Sequence, residues 1–343
     1  MNLIISILFL IVCTVVGSQF TSTGFPTKVL SSNSPWNIPI GNNPSVEPLS
    51  TVMVNKIKNS LAQEGLSTDF QLHYNKWTAP IHLVNTSLPV NRIKIFQPQG
   101  EGYHETVDPL GLKVITNLPV LTSFNPDPMA DGHMIVFDTN LKVFHEFSRF
   151  KWVNSTTAEA TRYDTFSYNN NGTYPALVPG SRWWMKGVRG SGAPFIAGLI
   201  RYDEIQRGEL DHAIAFAGPI NRQKSFSSSS WSYELCTPVS CRTDGWVIGN
   251  DTVMEGQRIQ LNPSYNINSL PPKARLIAQA LQTYGGYMVD NSGDFGIYFE
   301  NLITSNPSGT SLWESQYGSD LSTLYNIPIT QFRILTCSNI IAK

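Results

Sequence analysis

The chain has 343 residues, a formal net charge of −1 and only 14% charged residues. So neutral a composition removes the electrostatic term on which nucleic-acid binding depends, and the length suits one large β-sandwich better than one helical domain. Aromatic residues make up 11% of the chain, a supply of flat faces that either fill sheet cores or stack on sugar rings.

Residues 3–16 are almost wholly apolar, and Val16-Gly17-Ser18 offers small or apolar side chains for cleavage. The expectation is a signal peptide over 1–18, cleaved after Ser18, and a soluble, exported mature chain. No later run reaches the roughly 20 apolar residues of a membrane span, so the mature chain is expected not to span a membrane. Four N-x-S/T sequons, at Asn85, Asn154, Asn171 and Asn250, fit passage through a glycosylating compartment, although such triplets also arise by chance in an Asn/Ser-rich chain.

Residues 19–50 read as an extended arm anchored by Ser34-Pro35-Trp36-Asn37. Residues 52–64 carry Val52, Ile57 and Leu61 on one side and Lys56, Lys58 and Gln63 on the other, which predicts a helix closed by Gly65. Short strand-like runs follow at 71–74, 81–84, 93–96 and 113–115, separated by Pro and Gly, in the manner of an all-β chain.

Residues 131–147 predict a hairpin whose strands are apolar on both faces and therefore central in a sheet. A two-residue turn at Thr139-Asn140 puts His133 directly opposite Glu146. Residues 154–182 are polar and read as an exposed loop or weak hairpin, followed by Trp183-Trp184. A short helix at 203–208 carries Asp203 and Glu204 at its start and Gly208 at its end. Asp211-His212 then opens an apolar strand over 213–217.

Residues 224–250 read as a Ser/Cys-containing loop insertion. In an oxidising compartment a local Cys236–Cys241 disulfide is expected, with Cys337 left buried or paired with one of those two. Further strands are predicted at 254–261, 287–290, 295–300 and 332–335, a helix at 272–284 and a weaker one at 312–325. The class expected is a mostly β, sandwich- or jelly-roll-like single domain over 19–343, with two or three short helices packed on it.

No G-x-S-x-G elbow, HExxH or P-loop is present, which argues against a serine hydrolase, zincin or kinase. What remains is a set of imidazoles and carboxylates at strand ends: Asp131, His133, Glu146, Asp211, His212 and Asp290. A carboxylate facing an imidazole orients its tautomer and tunes its basicity for acid–base work. The plainer alternative stays open: His133 and Glu146 satisfy one another inside a sheet, Asp211-His212 caps a strand, and Asp290 serves a turn. Asp131, His133 and Glu146 are also of the type that holds a hard or borderline metal ion, but the expectation is no metal and no cofactor. Asn291 and one of Trp183 and Trp184 are candidates for contacting a sugar, with core packing the alternative for the tryptophans.

The ordered blocks SPWN (34–37), DGHMIVFD (131–138), FHEF (144–147), GLIRYDEI (198–205), DHAIAFA (211–217), EGQRIQL (255–261) and ALQTYGGYMVDN (280–291) together resemble a widespread group of secreted, mostly bacterial proteins. The resemblance carries no activity. It implies that His133, Glu146, Glu204, His212, Asp290 and Asn291 fall in patterned blocks, and that the Ser/Cys insertion replaces the usual stretch after the H-A-x-x-F strand. The expectation is a secreted enzyme, hydrolase or lyase, that cleaves a polysaccharide by His/carboxylate chemistry. The rival is a secreted carbohydrate-binding or matrix protein without catalysis.

Overall fold

The computed structural model describes residues 23–66, 70–90, 92–96, 114–173, 187–223, 225–227, 230–232, 234–302 and 311–342. The expected signal peptide, Trp183 and Trp184 lie outside them. The chain is mostly β, with four α-helices among the described residues, each on a stretch where a helix is expected.

Three sheets stack. A six-stranded sheet runs in the order Gln71–His73, Gly296–Tyr298, Ile214–Gly218, Gly286–Asn291, Arg258–Leu261, Phe332–Ile334. It mixes parallel and antiparallel pairs, which departs from a purely antiparallel jelly roll. An inner four-stranded sheet runs Ile81–Val84, Met134–Asp138, Val143–Ser148, Arg162–Ser167, and an outer one Val114–Leu118, Ile93–Phe96, Thr157–Glu159, Lys151–Asn154.

Alternation along the strands explains the layers, because successive side chains leave a strand on opposite faces. Ala213, Ala215 and Ala217 meet Ile135, Phe137 and Phe144 in one core between the six-stranded and inner sheets. Ile214 and Phe216 point the other way and pack with the helices. Met134, Val136 and Phe147 turn from the inner sheet to the outer one, against Ile93 and Ile95.

The helices sit where their apolar stripes dictate. α1, Ser50–Gln63, buries Met53, Val54, Ile57 and Leu61, whereas Val52, expected on the same side, is exposed. α2, Tyr202–Arg207, begins with Glu204 accepting the Arg201 N–H and ends at Gly208 in the left-handed region. α3, Pro272–Thr283, starts on proline and buries Ile277, Ala278 and Leu281. α4, Leu312–Leu321, is capped by the Ser311 hydroxyl and buries Trp313.

Several expectations change. The hairpin turn has four residues, 139–142, because the Asp138 carboxylate accepts the N–H groups of both Asn140 and Leu141. Ile135 therefore stands opposite Glu146, and His133 lies just before the strand. The polar stretch after 154 hides a full strand, Arg162–Ser167, whose Asp164 and Phe166 turn inward. The insertion is no mere loop either. Its strand Glu234–Thr237 pairs with Asn339–Ala342. The disulfide is Cys236–Cys337, with Cα atoms 5.8 Å apart, and Cys241 is buried outside it, which corrects the expected Cys236–Cys241 link. The C-terminal strand brings Cys337 beside Cys236, a proximity that spacing along the chain does not reveal. No helix among the described residues is long and apolar enough to cross a membrane.

Candidate active site

Where the six-stranded and inner sheets part, their strand ends line a cleft of about 640 Å³. The inner sheet contributes Asp131, His133, Arg149 and Arg162; the six-stranded sheet contributes His73, Asp290, Asn291 and Tyr298; Asp244 and Trp77 come from loops.

Asp290 is the most heavily tied of these groups. Arg189 donates to it at 2.8 Å, the Tyr298 hydroxyl at 3.1 Å and the Gly190 N–H at 2.6 Å. Asp290 and Tyr298 meet although their strands do not pair, because Ile214–Gly218 lies between them. The Arg189 guanidinium is fully buried, 3.9 Å from the Phe195 ring centre and 4.4 Å from that of Tyr298. Its Nη2 donates to the Phe195 carbonyl at 2.9 Å.

His133 packs its ring on Phe195 at 4.5 Å. Its Nδ1 lies 3.3 Å from the Phe147 carbonyl, which can only accept, so Nδ1 carries the proton and Nε2 is left with a lone pair. Burial pushes the imidazole down to about 4, helped by the Arg189 charge and opposed by Asp290 and Asp131. At neutral pH it is an uncharged base.

Asp244 is the opposite case. Burial raises its carboxyl and the charge of Asp290 adds to this, while a hydrogen bond shared with Glu255 opposes it. Glu255 is fully buried and raised well above the ordinary range, by burial first and then by Asp244. Two carboxyls in contact and out of water cannot both ionise, so the pair retains a proton. Asp244 also accepts the Asn291 N–H at 3.1 Å, and Asn221 reaches Glu255 at 3.2 Å. Gly190 leaves room for this placement: a Cβ there would lie 2.3 Å from the Asp244 carboxylate.

Two non-glycine residues with left-handed backbone line the cleft, Trp77 at φ 60° and Arg149 at φ 53°. Such conformations cost on the order of 1 kcal/mol or more and gather at functional sites. Trp77 is held by its N–H to Asp127 at 3.2 Å, and Arg149 by its N–H to the Asp131 carbonyl at 2.6 Å.

The expected convergence of four groups does not form. Glu146 is fully buried behind the cleft, where it accepts the N–H groups of Phe195 at 2.7 Å and Ile196 at 2.8 Å. Asp211 and His212 stand at the start of Ile214–Gly218, whereas Asp290 pairs with its far end. Four steps at ~3.3 Å separate the two ends, roughly 13 Å. His212 spends both ring nitrogens there, on the Ala213 carbonyl at 2.8 Å and on Glu204 at 3.2 Å, while Arg201 holds Glu204 at 2.8 Å. Asp131, His133, Asp290 and Asn291 do share one cleft.

Sequence reasoning missed Arg189, Asp244, Glu255 and Tyr298. Asp244 sits within what reads as an insertion, and Glu255 within an apparent strand, so neither carries a local signal. The local signal that could have pointed here is the Gly-rich run Gly187-Val188-Arg189-Gly190-Ser191-Gly192, which contains Arg189 itself. Among the described residues no cluster of three His, Cys, Asp or Glu side chains is arranged to hold a metal ion.

No protein-family model matches the chain, and no curated protein or solved structure matches it.

Proposed function

We propose that this chain is a secreted enzyme that cleaves a glycan by general acid–base catalysis in the cleft, with His133 as base and Asp244 as acid. The observation that carries the reading is the pair of oppositely shifted groups in one opening: an imidazole that burial keeps neutral, and a carboxyl that burial raises and that shares a proton with the buried Glu255. Environments that shift two titratable groups of one site in opposite directions are a means of assigning acid and base roles.

In hydrolysis, His133 Nε2 takes a proton from water as its oxygen bonds to the anomeric carbon. Asp244 gives its proton to the departing glycosidic oxygen as the C–O bond breaks. In elimination, the same nitrogen takes the proton beside a uronate carboxylate, a C=C bond forms, and the leaving oxygen again receives the Asp244 proton. Asp290, fixed by Arg189, Tyr298 and Gly190, supplies a stationary negative charge beside both.

Export is supported by the apolar start and by the Cys236–Cys337 disulfide, which favours an oxidising compartment. The asparagines of all four sequons are exposed, as glycan attachment requires. The rival reading, a carbohydrate-binding protein without catalysis, needs the exposed aromatics alone and leaves the shifted pair without a task.

The test is incubation with neutral and uronate-containing polysaccharides, following both reducing ends and the ultraviolet absorbance of unsaturated uronate. His133→Ala and Asp244→Asn should each remove on the order of 10²-fold or more of the activity. Cleavage of no glycan by the wild type, together with firm binding, would hand the cleft to the rival.

A further inference from the structure

The cleft does not stop at Ser292-Gly293. On the far side of these two residues, which line both, lies a second groove of about 510 Å³. One wall is the exposed face of α1, with Lys56, Asn59 and Gln63; the other carries Trp246. The shared rim is low, since a side chain on Gly293 would meet nothing within 4 Å.

Trp246 is 61% exposed, unusual for the largest apolar side chain. It is nevertheless held in place. Its indole N–H donates to the Pro219 carbonyl at 3.2 Å and its backbone N–H to Asn221 at 3.1 Å. The indole therefore satisfies its polar edge within the protein while much of its apolar surface stays exposed to the groove. Across from it the donors are a neutral amide pair, Asn59 and Gln63, and the Lys56 charge is spent on Asp251 at 2.6 Å. Ser60 and Glu64 line the same wall, and a flat apolar face opposite amide, hydroxyl and carboxyl hydrogen-bonding groups matches the two sides of a sugar ring, apolar C–H above and hydroxyls at the edge.

We infer that the groove is a secondary subsite for the same glycan, so that the substrate is a polymer running from the catalytic cleft over Ser292-Gly293 onto Trp246. Each of the two volumes falls in the range of about 300–1,000 Å³ that takes a drug-sized ligand, and the continuous surface takes several sugar units. Trp77, 41% exposed at the cleft, supplies a second flat face on the cleft side of the rim. The residue that completes the groove comes from the 224–250 segment, which gives that segment a task. This inference rests on reading the cleft as a glycan site.

Native gel electrophoresis through gels containing xylan, β-glucan, polygalacturonate or alginate tests it, with the full-length mature chain. Trp246→Ala should weaken retardation by the bound polymer about fivefold to tenfold, and Trp246→Phe, which restores a flat face, should recover most of it. On a cleaved substrate, Trp246→Ala should raise KM for the polymer more than for its shortest cleaved oligomers. Folded Trp246→Ala that binds and cleaves polymer like the wild type overturns the subsite while leaving the catalytic reading intact. Loss of retardation in Trp246→Ala, with a wild type that binds but never cleaves, supports the subsite and removes the catalytic reading instead. No retardation of the wild type by any of the four gels, together with cleavage that Trp246→Ala leaves unaltered, also overturns it.

Discussion

Glu146 holds Phe195 by its backbone: the carboxyl accepts the Phe195 N–H at 2.7 Å and that of Ile196 at 2.8 Å, and the Phe195 ring then packs against both His133 and Arg189. The residue expected to face the substrate instead builds the floor on which the base rests.

That relationship has a pH signature. Burial pushes the Glu146 carboxyl up to about 8 from its ordinary 4.5, against the two N–H groups that lower it. The folded chain thus keeps a proton that the unfolded chain releases. The associated stability is fully present below pH 4.5 or so and is lost as pH rises through about 8. Glu146→Gln should flatten this part of the melting-temperature profile. It should also cost on the order of 1–3 kcal/mol, because one amide oxygen cannot serve both N–H groups. An unchanged slope in the variant would show that Glu146 is not the titrating group.

The rate profile should follow the two shifted groups in the cleft. His133 must lose its proton to act, so kcat/KM should rise as pH climbs through about 4. Asp244 must keep its proton, so the alkaline limb should lie above the ordinary carboxylate range, in the direction burial drives it. An acid limb near the usual histidine value, measured with wild type, would contradict the assignment of His133.

Gly190→Ala probes the packing behind the acid. Its methyl would sit 2.3 Å from the Asp244 carboxylate, which must then leave its place. A side-chain end can move where a backbone cannot, so the fold should survive with a small change in melting temperature. The catalytic loss should resemble that of Asp244→Asn, on the order of 10²-fold. Retained activity would mean that Asp244 acts from another position or not at all.

Peptide mapping without reduction should recover Cys236 linked to Cys337. The bond closes a loop of 101 residues, and its removal should cost about 2–5 kcal/mol. Cys241 is buried, with its thiol raised by that burial, and should react with alkylating agents only after unfolding. A Cys236–Cys241 peptide would reverse the assignment.

Local chemistry was enough for the class of the chain and for most of its elements. Proline at the start of α3, Gly208 after α2 and the apolar stripe of α1 are signals that act within a few residues, and the helices appear where those signals stand. The strand Ile214–Gly218 was equally legible, and so was the placing of Asp131, His133 and Asp290 near strand ends. What short-range patterns do not contain is which end meets which. Strand pairing over long separations set Asp290 beside Tyr298 and left His212 at the other end of the same sheet. A single Asx turn at Asp138 reset the hairpin register that a two-residue turn would have given. Asp244, Glu255 and Arg189 acquire their chemistry only by losing water in the fold, and desolvation is a property of the assembled layers, not of any segment.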